Sequence, residues 1–94
     1  MSERRCDAID ELVGRNIRLL RLARKISQTE LARKLDLTFQ QVQKYEKGTN
    51  RVGSGRLFKI AGVFEVPISA FFDGADHKAG DRAVPSPTER ASEI

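Results

Sequence analysis

The stretch from Ser27 to Lys47, S-Q-T-E-L-A-R-K-L-D-L-T-F-Q-Q-V-Q-K-Y-E-K, decides the fold. Two helix-start signals lie inside it only eleven residues apart, Ser27-x-x-Glu30 and Thr38-x-x-Gln41. Each reads as a capping box, in which the hydroxyl accepts from the backbone N–H three residues on and the Glu or Gln side chain reaches back to the N–H of the cap. Apolar residues at helical spacing follow both boxes: Leu31, Ala32 and Leu35, then Val42 and Tyr45. Asp36 and Leu37 alone separate the first helix from the cap of the second. So short a link predicts a steep crossing of about 90 to 120°. Ala32 is expected at the crossing point, with Leu37 and Val42 filling the corner beneath it.

A helical corner of this kind occurs in proteins of many functions. The outward side of the second helix is more informative. Phe39, Gln40, Gln43 and Lys44 fall there, opposite Val42 and Tyr45, and none of them is acidic. Gln pairs bidentately with adenine N6 and N7, Lys donates to guanine or to phosphate, and an apolar group meets the thymine methyl. A face chosen for solubility alone would mix Glu with Lys and would not expose a phenylalanine.

Composition agrees with a polyanionic partner without demanding one. Among 94 residues, 17 Lys and Arg outnumber 13 Asp and Glu, giving a net charge of +4. A core this small is marginal by itself, and dimerisation is a natural remedy. With Cys6 the single cysteine and His77 the single histidine, no internal disulfide and no four-ligand zinc site can be built, so no metal or cofactor is expected. The same scarcity rules out a Ser/His/Asp or Cys/His catalytic arrangement, and no G-x-x-x-x-G-K-[ST] phosphate loop is present, so an enzyme is not expected. There is no run of 18 apolar residues and the N-terminus is too polar for a signal peptide, which points to a cytoplasmic protein with no membrane segment.

In chain order, residues 1–12 read as a charged arm and the start of a first helix, which Asp7 caps. From Ala8 to about Lys25 the stripe Ile9, Val13, Ile17 and Leu20 predicts an amphipathic helix with a basic back. Gly14 inside that stripe predicts a frayed or separate first turn. After Lys47, Gly48 reads as a C-cap. Asn50 and Arg51 follow on a loop, as backbone-contacting residues of a nucleic-acid site or as ordinary turn residues. Ser54 is expected to cap a fourth helix carrying Leu57, Ile60, Ala61 and Phe64 on one face. A short fifth helix after Pro67 would place Ile68, Phe71 and Phe72 at the base of the core, and Phe58 is read as core as well. Residues 74–94 lack the apolar surface to order themselves and are expected to be a disordered tail.

The strings I-R-L-L-R, S-Q-T-E-L-A, Q-Q-V-Q-K-Y-E-K-G and L-F-K-I-A-x-V-F-x-V-P-I-S-x-F-F occur in this order over about two thirds of the chain. They resemble the lambda-repressor-like, Cro/C1-type helix-turn-helix regulators, also called the xenobiotic response element family. The resemblance implies an all-α, compact five-helix DNA-binding domain over 13–73, with the helix-turn-helix motif at 28–47 formed by helices 2 and 3. It implies that Gln28 meets a phosphate, that Thr38, Phe39, Gln40, Gln43 and Lys44 occupy the major-groove positions, and that Arg21 and Glu46 form a structural ion pair. Gln41 is expected to serve the cap. Two departures stand out: Asp36 replaces the usual corner glycine, and Phe39 replaces a polar residue at the first reading position.

The resulting expectation is a sequence-specific double-stranded DNA-binding transcriptional regulator, a repressor and homodimer on a near-palindromic operator. The alternative is an antitoxin or adaptor that binds a protein partner, a toxin or another regulator, while controlling its own operon. Such a partner would order the N-terminal arm or the tail.

Overall fold

The computed structural model describes residues 7–75; the expected arm through Cys6 and the tail from residue 76 on, His77 included, lie outside the described residues. Four α-helices follow one another: α1 (Ala8–Ala23), α2 (Gln28–Leu35), α3 (Phe39–Lys47) and α4 (Ser54–Phe64). A 3-10 turn, Ile68–Phe72, stands where a fifth α-helix was expected. No strand occurs among the described residues. The all-α class therefore holds, and the helix count is corrected to four plus a 3-10 turn. Pro67 supplies the extended residue before that turn but no side-chain cap, and Asp73, extended at φ -62° and ψ 128°, ends it after five residues.

Asp7 starts α1 with a reciprocal box: its carboxylate accepts from the N–H of Ile9 and Asp10, and Asp10 Oδ2 accepts from the Asp7 N–H at 3.0 Å. The helix then runs without a break through Gly14. The expected fraying is absent because Gly14 serves tertiary packing: a Cβ there would fall inside the envelope of the Tyr45 carbonyl oxygen and 2.9 Å from that of Glu46. The missing side chain lets α1 lie directly on the backbone of α3. At its other end α1 stops at Ala23, short of the expected Lys25, which turns into the left-handed region at φ 58°.

The core joins Val13 and Ile17 of α1 to Leu31 and Leu35 of α2, Val42 of α3, Leu57, Ile60 and Phe64 of α4, and Phe71. Helix α1 packs on α3 and on the 3-10 turn, while α2 packs on α3 and α4. The expected stripe is corrected at two places. Ile9 is 40% exposed, because it precedes the part of α1 that α3 covers. Asn16 takes a buried place on the stripe instead, its Nδ2 donating to the carbonyls of Phe71 at 2.8 Å and Asp73 at 3.0 Å. One amide thereby ties the 3-10 turn to α1.

Arginines finish two helices. Arg24 donates from Nε and Nη2 to the Phe64 carbonyl at the end of α4, at 3.1 and 2.7 Å, and Arg56 Nη1 reaches the Leu35 carbonyl at the end of α2 at 3.3 Å. Each satisfies a terminal carbonyl that the helix itself leaves open. At the start of α4 the expected cap is corrected. Gly53 occupies the N-cap, Ser54 is the first helical residue, and no side chain caps this end. Three further core assignments fail: Phe58 is 69% exposed, and Ile68 and Phe72 are each more than a third exposed, leaving Phe71 as the buried aromatic of the turn.

Candidate nucleic-acid interface

The helix-turn-helix corner forms as its residues require. Ser27 Oγ accepts from the Glu30 N–H at 3.0 Å, but Glu30 does not return the bond, so this box is half made. Thr38 and Gln41 make both halves: the Gln41 N–H donates to Thr38 Oγ1 and the Thr38 N–H donates to Gln41 Oε1, each at 3.1 Å. Between the two helices Asp36 sits in the left-handed region at φ 59°, and the Leu37 N–H closes the corner on the Ala32 carbonyl at 2.9 Å. Asp is among the few residues that enter this region at small cost, which is why the corner survives without glycine. At the far end of α3, Gly48 adopts φ 77°, and a Cβ there would meet the Glu11 backbone at 2.8 Å, so both the turn and the contact with α1 call for glycine.

Helix α3 carries a single carboxylate, Glu46, and the fold turns it inward. Arg21 Nε donates to Glu46 Oε2 at 2.6 Å and Nη2 to Oε1 at 3.1 Å, with the two side chains 8% and 2% exposed. Gln28 Nε2 adds a third donor to Glu46 Oε1 at 2.9 Å, while Arg21 Nη1 donates to the Ile26 carbonyl at 2.9 Å. The network fastens α3 to α1 and to the N-terminus of α2 together. No buried side-chain nitrogen or oxygen among the described residues lacks a partner.

With Glu46 removed inward, the outer face of α3 presents donors and one aromatic. Phe39, Gln40 and Lys44 are exposed there, Phe39 at 40%, and Gln43 is half-buried beside them. The Thr38 hydroxyl is committed to the cap, so Thr38 sits at the start of this face with its hydroxyl already used. Gln28 is half-buried, and its amide serves Glu46 before any outside acceptor. Asn50 is exposed on the following loop. Arg51, beside it, is about half exposed and holds Asp10 of α1, Nε to Oδ2, at 3.0 Å. Sequence reading missed that ion pair, since 41 residues separate the partners. The Asp7 carboxyl next to it is held below its ordinary value, chiefly by the Asp10 backbone N–H, with the Arg51 charge a smaller cause in the same direction.

No group of three or more His, Cys, Asp or Glu that could hold a metal occurs among the described residues. No described helix is long and apolar enough to cross a membrane.

The model of the family HTH_3, described as helix-turn-helix, matches residues 17–71. An uncharacterized HTH-type transcriptional regulator of Sinorhizobium medicae is 47% identical over 79 residues, which are 84% of this chain and 57% of that protein. The chain thus spans little more than half the length of this relative. Among solved structures, the restriction-modification controller protein C.AhdI of Aeromonas hydrophila is 27% identical, with a TM-score of 0.66 over 70% of this chain and 100% of that one. The clp gene regulator ClgR of Corynebacterium glutamicum shares the fold, with a TM-score of 0.67 over 84% of this chain and 99% of that one at 19% identity.

Proposed function

The chain belongs to the HTH_3 helix-turn-helix family, and from that premise we propose that it is a sequence-specific double-stranded DNA-binding transcriptional regulator that lays α3 in the major groove. The observation that carries this reading is the face of α3: its one acid is buried in an ion pair, while Phe39, Gln40, Gln43 and Lys44 face outward or sit beside that face. The relatives named as transcriptional regulators support it. The DNA-reading unit is 13–73, extended back to Ala8 where α1 begins, with its motif at 28–47.

In this reading Gln40 and Lys44 contact base edges, Gln43 follows a turn inward, and Phe39 packs on a thymine methyl. The amide N–H of Gln28 not given to Glu46 points to a phosphate at the N-terminus of α2, where the helix dipole favours an anion. Asn50 and Arg51 fix register on the sugar-phosphate backbone, with Asp10 orienting Arg51. Thr38 positions the first turn of α3 through its cap. The regulator acts as a repressor and homodimer in the cytoplasm, on half-sites one helical turn apart, about 34 to 36 Å. It needs no cofactor and catalyses no reaction.

Binding titrations with the full chain on a preferred duplex and on single-base variants test this. Gln40→Ala and Lys44→Ala are each expected to remove about 1 to 3 kcal/mol of discrimination at one base pair. Unchanged discrimination in both variants would reject α3 as the reading helix.

A further inference from the structure

The main chain on either side of Arg51 is tied down. Before it, the N–H groups of Thr49 and Asn50 both turn back on the Lys44 carbonyl of α3, at 3.0 and 3.2 Å, and Thr49 Oγ1 donates to the same oxygen at 3.2 Å. Gly48, at the root of this loop, is pressed against the Glu11 backbone of α1. After it, Val52 packs on the core. The loop therefore carries Arg51 at a fixed offset from the reading helix, and only the long side chain is left to be placed.

Asp10 places it. Arg51 Nε donates to both carboxylate oxygens, at 3.2 and 3.0 Å. The carboxylate is itself anchored: its side chain is only 12% exposed, and its Oδ2 also accepts the Asp7 N–H at 3.0 Å in the cap of α1. Arg51, in contrast, keeps 52% of its side chain in solvent. An ion pair with one partner so open contributes little to stability, and the cap of α1 needs only an oxygen on Asp10, so neither fold nor cap accounts for the pairing.

Its effect falls on the phosphate contact. An unheld arginine follows a phosphate on any duplex in any register, and such a contact carries no sequence information. Held on Asp10, the guanidinium meets a phosphate only when the duplex lies where α3 has seated it, and it arrives with its ordering cost already met. We propose that Asp10 is a specificity-determining positioning residue: without touching DNA, it holds Arg51 so that the phosphate contact forms only in the register that α3 reads. The inference rests on the DNA-reading proposal above.

Equilibrium binding of the full chain to its preferred duplex and to a random-sequence duplex over a salt series tests it, with circular dichroism confirming that each variant is folded. Asp10→Asn keeps an oxygen for the Asp7 N–H and removes the charge that holds Arg51. Arg51→Lys keeps the positive charge and removes Nε. In each variant the ratio of the two affinities is expected to fall about 5-fold, the effect of ordering one long side chain. For Asp10→Asn the salt slope on the random duplex should also steepen by about 0.9, one further phosphate. The double variant discriminates no worse than either single one, because both changes break the same contact. An unchanged ratio in Asp10→Asn, or tighter binding to both duplexes by the same factor, would overturn the role of Asp10 and leave α3 as the reading helix. A wild-type chain with no preferred duplex would overturn both.

Discussion

Replacing Gly14 by alanine should reverse the usual sign of that substitution. In an exposed helix interior the change gains about 1 kcal/mol, from better helix propensity and a less flexible unfolded chain. At Gly14 the added methyl meets main-chain oxygens of Tyr45 and Glu46, the second at 2.9 Å. A side chain could rotate aside; backbone carbonyls locked into α3 cannot, so α1 and α3 must separate along the contact that carries the Arg21–Glu46 pair. Overpacking of a closed contact costs about 1 to 3 kcal/mol, and this case lies at or beyond the upper end. After subtracting the propensity gain, a net loss of about 2 kcal/mol is expected. For a domain of this size that lowers the melting temperature by roughly 8 to 16 °C. Thermal denaturation followed by circular dichroism reads it directly. A Gly14→Ala melting temperature equal to or above the wild type would refute the close approach of the two helices.

Glu46→Ala leaves the Arg21 guanidinium buried without its carboxylate and should cost about 3 to 5 kcal/mol in urea unfolding. Asp36→Gly relieves a left-handed residue that carries a Cβ but loosens the unfolded chain, so a stabilisation below about 1 kcal/mol is expected in the same assay. The Asp7 carboxyl is depressed from its ordinary 3.8 by the Asp10 N–H. Its contribution is therefore present above about pH 4 and is lost as pH falls through the lower folded-state value, and Asp7→Ala should flatten that part of the acid limb in melts taken from about pH 6 to pH 2.

The parts of the fold that were legible are those written in local spacing. Ser27, Thr38 and Gln41 mark where helices begin, and Asp36 with Leu37 allows only a tight corner. The apolar stripes of α2 and α3 give their buried sides, and by subtraction the outward face of Phe39, Gln40 and Lys44. The parts that were not legible depend on partners distant along the chain. Gly14 looks like a helix breaker until α3 is laid against it. Asn16 looks like a polar interruption until the carbonyls of Phe71 and Asp73 arrive 55 and 57 residues later. Nothing in local spacing marks Arg24 or Arg56, yet each closes another helix by its last carbonyl. Phe58 reads as core from its residue type, yet it stands off the Leu57, Ile60, Ala61 and Phe64 face that the helical period marks as buried, and it is exposed. The ion pair of Arg21 with Glu46 came from family resemblance, since periodicity alone does not join residues 25 apart.

The central claim is that the outer face of α3 reads base edges of duplex DNA. Selection of bound duplexes from a random library by the full chain, followed by sequencing, tests it most directly. The expected result is an enriched inverted repeat with half-site centres about 10 to 10.5 bp apart, lost when Gln40 and Lys44 are both replaced by alanine. Recovery of no preferred sequence, with only salt-sensitive binding to any duplex, would contradict it.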